Sequence, residues 1–277
     1  MTTQPMQANS HSAPARELVL SLRGITKRFG AVAALTDIDL DVHAGEVVAL
    51  VGDNGAGKST LVKILSGVHQ PTSGSMAFCG QPVTLADPGA SLALGIATVF
   101  QDLALCENLD VVANIFLGKE LSPFHLNEVD MEVKAWQLLN ELSARIPSVR
   151  IPVAALSGGQ RQTVAIARSL LLSPKLILLD EPTAALGVAQ TAEVLDLIER
   201  VRDKGLGVVM ISHNMEDVRA VADRIVVLRL GKNNGVFLPD ASNHELVGAI
   251  TGAADNSVSR RTTRRSSRRE SLQTHTA

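Results

Sequence analysis

Nine consecutive residues carry the densest chemistry in this chain: Gly52, Asp53, Asn54, Gly55, Ala56, Gly57, Lys58, Ser59 and Thr60. They match G-x-x-x-x-G-K-[ST], the spacing of a loop that wraps nucleotide phosphates. Glycines let successive backbone N–H groups turn inward on an anion. A helix starting near Lys58 adds the positive end of its dipole. Lys58 then supplies a point charge for β- and γ-phosphates, and the Ser59 hydroxyl is a ligand for Mg²⁺.

Further along, the apolar run 176–179 ends in Asp180 and Glu181. A strand alternates its side chains, so two adjacent acids point differently and can take different roles. Asp180 is expected to hold Mg²⁺, directly or through water, and Glu181 to polarise the water that attacks a γ-phosphate. Gln101 and His213 also follow apolar runs, which nominates both as sensors of the γ-phosphate and its water. Ser157, Gly158, Gly159 and Gln160 open a helix. Ser157 reads as its N-cap, but two adjacent glycines ask for another purpose, and a hydroxyl beside bare N–H groups makes a second anion site. The remaining histidines singled out, His43, His69, His125 and His244, lack such a context and read as surface or structural.

These groups need a scaffold. Alternating residues predict half-buried strands at 18–23 and 38–42, with Phe29 in the turn region between them. Continuous apolar runs at 47–51, 96–100, 176–179, 207–211 and 225–228 predict buried strands of a parallel sheet. Shorter strands are expected at 76–78 and 83–85. Helical periodicity covers 61–65, a segment capped by Asp87, 109–145, the stretch after Gln160, 188–201, 215–222 and 244–250. Strands alternating with helices give an α/β fold with a mostly parallel sheet covered on both faces, an antiparallel β region at the N-terminal end, and a helical insert. In such sheets ligands bind at the carboxyl ends of the strands, where the chemistry-bearing residues lie.

Of the 277 residues 45% are hydrophobic, enough for a sizeable core, and no apolar run approaches the ~18–20 residues that cross a bilayer. The polar start has no apolar segment of the kind a signal peptide carries, so a cytosolic protein is expected. Cys79 and Cys106 belong to no paired motif and read as buried or idle thiols. Six arginines after Gly252 stand against Asp255 and Glu270, a local charge of +4. The rest of the chain has 20 basic and 26 acidic residues, a charge of −6, which argues against a nucleic-acid partner.

With residues 52–60, Gln101, 156–160, 176–181 and His213 in this order, the chain resembles the nucleotide-binding subunits of ABC transporters. The resemblance spans about residues 18–252. It implies a P-loop ATPase domain over 17–252 with a helical subdomain at about 102–172, between disordered tails at 1–16 and 253–277. Phe29 then matches the aromatic that stacks on adenine. Gln101 matches the residue that links the γ-phosphate and Mg²⁺ to the helical subdomain. Ser157, Gly158, Gly159 and Gln160 would close over ATP bound to a second subunit in a head-to-tail homodimer. Residues 52–60, 114–120, 180–187 and 211–215 are similar to monosaccharide-importer ATPases of the ribose, xylose and fructose group, in single-unit form. The implied partners are a polytopic permease and, through it, a secreted or periplasmic sugar-binding protein, with the chain peripheral on the cytoplasmic face of the membrane. Gly187 departs from the Asp common at that position. Two other readings keep the ATPase chemistry: a soluble ABC ATPase acting on nucleic acid or ribosomes, and an importer ATPase for a non-sugar solute.

Overall fold

The computed structural model describes residues 16–121 and 127–252. The two expected disordered tails, apart from Arg16 at the inner edge of the first, and His125 lie outside them. The chain begins with a ribbon, β1 (Leu18–Phe29) and β2 (Val32–His43), followed by β3 (Val47–Val51) and α1 (Lys58–Leu65). β4 (Ser73–Phe78), β5 (Gln81–Pro82), α2 (Pro88–Leu94) and β6 (Ile96–Val99) come next. The helical segment is α3 (Val111–Phe116), α4 (Glu128–Glu141) and α5 (Gly158–Leu170). β7 (Leu176–Asp180), α6 (Val188–Asp203), β8 (Gly207–Ile211), α7 (Met215–Val221), β9 (Arg224–Arg229), β10 (Lys232–Phe237) and α8 (Asn243–Thr251) complete the order.

Two sheets form. One is four-stranded and antiparallel in the order β2-β1-β4-β5; the other is six-stranded in the order β10-β9-β3-β8-β7-β6, parallel except for β10. The α/β class, the mostly parallel sheet and the N-terminal antiparallel region are as the sequence predicts. The apolar runs have a simple cause: each central strand feeds two cores. Val47, Ala49 and Val51 of β3 pack with Ile177, Leu179, Val208 and Met210 on the face covered by α3, α5 and α6. Val48 and Leu50 pack with Leu176, Leu178, Val209 and Ile211 on the face covered by α1 and the β1–β2 ribbon. Every residue of β3 is therefore buried, each large one worth about 1.5–3 kcal/mol.

Several boundaries differ from expectation. β1 and β2 each run twelve residues, because their pairing passes through register shifts after Leu22, Ile25 and Lys27 that break the strict alternation. Phe29 is consequently the last residue of β1, paired with Val32, and not part of the turn. The strand expected at 83–85 is absent. Cys79 and Gly80, at φ 48° and 75°, make a hairpin turn, and only Gln81 and Pro82 pair with β4 before the chain leaves towards Asp87. The helical stretch predicted over 109–145 is two helices, since the chain turns away at Leu117 and Gly118. β10 escapes sequence reading because Lys232, Asn233, Asn234 and Gly235 resemble a turn.

The two sheets are bolted together by Glu46. Only 4% exposed, it receives Arg224 Nε on one oxygen and the His43 N–H and Nδ1, at 2.8 and 3.0 Å, on the other. Burial works against its charge, but the bonds from Arg224 and His43 outweigh it and hold the carboxyl below the ordinary glutamate range. Glu46→Ala should cost about 3 kcal/mol, the lower end for breaking a buried pair, because the Arg224 side chain keeps 28% of its surface in water. A depressed folded pKa stabilises above the unfolded value near 4.3 and fades as pH falls through the folded one. Urea unfolding should therefore show a mutant deficit that is full at pH 7 and narrows in acid; a deficit that grows in acid contradicts it.

Candidate functional site

Five parallel strands put their carboxyl ends on one edge, and four of them deliver the predicted groups there. β3 leads into residues 52–60, β6 into Gln101, β7 ends at Asp180 and passes to Glu181, and β8 leads to His213. β8 stands between β3 and β7, so residues scattered over more than 150 positions meet at one line.

The phosphate loop is built around contacts that tolerate no side chain. A Cβ on Gly52 would lie 2.2 Å from the Leu228 carbonyl, and one on Gly57, at φ 104°, would lie 2.5 Å from Leu35 Cδ2. Leu61 N–H bonds to Gly57 O at 2.9 Å, starting α1, so Lys58, Ser59 and Thr60 occupy its first turn. Asp53, Asn54 and Gly55 are exposed at the rim and Ala56 is buried beneath them. Lys58 Nζ donates to the carbonyls of Gly52 at 2.6 Å and Asp53 at 3.0 Å. Burial lowers its pKa, and the charges of Glu181, Asp53 and Asp180 partly offset that.

Asp180 shows the opposite strain. Its carboxyl is pushed up by burial and by the Glu181 charge beside it, against the pull of Lys58 and Lys63. A divalent cation would relieve both causes. Among the described residues no cluster of three or more His, Cys, Asp or Glu side chains could hold an ion by itself. Asp180 and the exposed Ser59 hydroxyl offer one or two oxygens at this edge, a number that fits Mg²⁺ completed by phosphate oxygens and water, with Gln101 past the end of β6.

Glu181 and His213 meet: Nδ1 lies 2.8 Å from Oε2, with the imidazole side chain 75% exposed and the carboxylate 16%. Glu181 itself sits at φ 52°, a backbone region unusual for a residue with a Cβ. Gln101 stands exposed past the end of β6. Phe29, 45% exposed, has the His69 ring against it at 5.3 Å, edge to face, and Lys27 Nζ 5.1 Å from its centroid. His69, expected to be surface or structural, packs into this aromatic corner.

Ser157, Gly158, Gly159 and Gln160 form a separate group. Ser157 Oγ accepts from Gln160 N–H, Gln160 Oε1 accepts from Ser157 N–H, and Gln160 Nε2 donates to Arg145 O. The glycines have a packing reason that the sequence hides. Cβ atoms there would lie 2.7 Å from Leu186 and 3.1 Å from Gln190, so α5 can start this close to Leu186 and α6 only because both positions lack a side chain. Gly187, the N-cap of α6, has nothing within 4 Å of an added Cβ, so an Asp would fit.

Two residues were missed. Arg168 on α5 donates to Ala104 O at 2.8 Å and Leu103 O at 2.6 Å, tying the chain after Gln101 to the helix that Ser157 caps. Asn114, fully buried, bonds both N and O of Cys106 and the carbonyls of Leu109 and Asp110. The signal for both was a polar residue set inside an apolar helical face.

A family model described as ABC transporter matches residues 35–184, more than half of the 277 residues. The chain belongs to the ABC transporter family. It is a nucleotide-binding ATPase whose hydrolysis is coupled to transport. This ABC ATPase is 48% identical over 215 residues to the xylose/arabinose import ATP-binding protein XylG of Sulfolobus acidocaldarius, covering 77% of this chain and 86% of that one. It is 42% identical over 251 residues to the fructose import ATP-binding protein FrcA of Rhizobium meliloti, covering 87% and 96%. Among solved structures it is similar to the ATP-binding cassette MJ1267, with a TM-score of 0.76 and 25% identity over 84% of this chain and 98% of that one. The cassette MJ0796, solved as a dimer in a post-hydrolysis state bound to ADP and Pi, gives a TM-score of 0.68 at 26% identity, covering 80% and 100%.

Proposed function

We propose that this ABC ATPase powers uptake of a monosaccharide through a membrane permease, as a homodimer on the cytoplasmic face of the membrane. The observation that carries the cargo is the near full-length similarity to relatives named for xylose, arabinose and fructose import. The observation that supports the catalytic roles is the shared edge of β3, β6, β7 and β8. In this reading adenine stacks on Phe29, and the N–H groups of Asp53, Asn54, Gly55, Ala56 and Gly57 and the first turn at Lys58, Ser59 and Thr60 hold the phosphates. Mg²⁺, when bound, neutralises phosphate charge; Ser59, Asp180 and Gln101 hold it. Glu181 orients the attacking water, and His213, hydrogen-bonded to it, reports on the γ-phosphate.

Ser157, Gly158, Gly159 and Gln160 make their hydrogen bonds away from the phosphate loop of their own chain. A role on the nucleotide of a second copy accounts for that separation. The similarity to import ATP-binding proteins supports a permease as the path for the sugar; no helix among the described residues is long and apolar enough to cross a membrane. The cleft suited to it has a volume of about 230 Å³ and lies between α2, β6 and α5. Val68, Leu92 and Phe100 give it apolar walls, and Lys119 and Arg168 give it a basic one. Arg168 links that cleft to the chain just after Gln101.

The test is reconstitution of the full chain with its permease and sugar-binding protein in vesicles. ATP-dependent uptake of labelled xylose, arabinose, fructose or ribose is expected, with no uptake of amino acids or divalent metals. Uptake of a non-sugar solute alone would overturn the cargo.

A further inference from the structure

The loop that presents Glu181 is strained. Glu181 lies at φ 52° and Ala185 at φ 59°, both left-handed. Such residues cost about 1–3 kcal/mol each and persist only where surrounding contacts enforce them. Main-chain bonds from Glu181 N–H to Ile211 O and from Ala184 N–H to Glu181 O, at 3.0 and 3.1 Å, secure the backbone. The side-chain anchor is Thr183. Its Oγ1 donates to Asp217 Oδ2 at 2.6 Å, the length of a charge-assisted bond, between residues only 9% and 6% exposed.

The partner's position gives this bond its meaning. Asp217 lies in the first turn of α7, four residues after His213, while Thr183 lies two residues after Glu181. One buried bond therefore joins the segment that carries the carboxylate to the segment that carries the imidazole. His213 is mostly exposed, so packing alone does not fix it against Glu181. We propose that Thr183 and Asp217 are positioning residues for ATP hydrolysis, whose hydrogen bond registers Glu181 against His213. The inference rests on the reading that these two groups act in the chemical step. Neither Thr183 nor Asp217 touches the reacting atoms, so binding of ATP is untouched and only turnover depends on the bond.

Steady-state hydrolysis by the full chain tests this. Thr183→Val removes the donor at nearly constant volume. A misplacement of about 1 Å at a reacting group costs up to roughly 10²-fold, so kcat should fall roughly 10–100-fold with KM for ATP unchanged. Thr183→Ser and Asp217→Asn, which keep donor and acceptor, should stay within a few-fold of wild type. Thr183→Val leaves a buried acceptor unpaired and can fail to fold. The double variant Thr183→Val with Asp217→Leu leaves no such group, and it should show the same loss of kcat. Wild-type kcat in either donor-less variant overturns the proposal, as does equal loss in Thr183→Ser or a parallel rise in KM. Glu181→Gln run alongside separates the two ideas. If it hydrolyses ATP normally, the role of Glu181 fails; if it is dead while Thr183→Val is normal, only the positioning bond fails.

Discussion

Glu181→Gln is expected to bind MgATP and to hydrolyse it roughly 10²–10⁴-fold more slowly than wild type, the usual worth of a positioned general base. Gln nearly preserves the volume at 181, and it can still hydrogen-bond His213 Nδ1 across the 2.8 Å that separates them. Asp180 and the strand end that carries it are left in place, so the Mg²⁺ site should be kept. What disappears is the carboxylate that polarises water. With ATP bridging Lys58 of one copy and Ser157 of another, slow hydrolysis should trap a dimer. Size-exclusion chromatography with MgATP should show it, and adding Ser157→Arg should return it to monomer. Because Ser157 also caps α5, that change costs about 1 kcal/mol of helix stability; circular dichroism of the double variant must show it folded. A Glu181→Gln chain that turns over normally sinks the base assignment, and one that stays monomeric with ATP bound sinks the dimer model.

Lys58→Ala should weaken nucleotide affinity by roughly 10²-fold and abolish turnover. Each charge-assisted bond from the ammonium to a phosphate oxygen is worth about 1.5–3 kcal/mol, and no other residue of the loop is cationic. Isothermal titration with ATP, with and without Mg²⁺, should show that loss in both conditions. Near-wild-type affinity would remove this loop from the nucleotide site.

How much of this was legible beforehand depended on the distance over which each feature is encoded. The strand-to-helix turn at 52–60 is self-contained, since its groups are backbone N–H donors of one contiguous segment and a Lys beside them. Asp180 and Glu181 were readable because a fully buried strand must end where charge begins. Strand lengths were less legible: the bulges of β1 mask its alternation, and the polar residues of β10 look like a turn although an edge strand needs few apolar contacts. The two glycines at 158 and 159 were noticed, but their packing against Leu186 and Gln190 depends on where α6 happens to pass.

From its residues alone the chain prescribed an α/β sheet, a phosphate-binding loop and the types of group at the strand ends. Each of these follows from periodicity or from a contiguous motif. Only the folded chain brings Glu181 to His213, Thr183 to Asp217 and Arg168 to the carbonyls of Leu103 and Ala104, pairs separated by 32 to 65 positions. Those meetings depend on the parallel order β3-β8-β7-β6 and its register, with Asp180 opposite Ile211. Register is settled by the summed burial of whole strands across two cores, a property that no single segment carries.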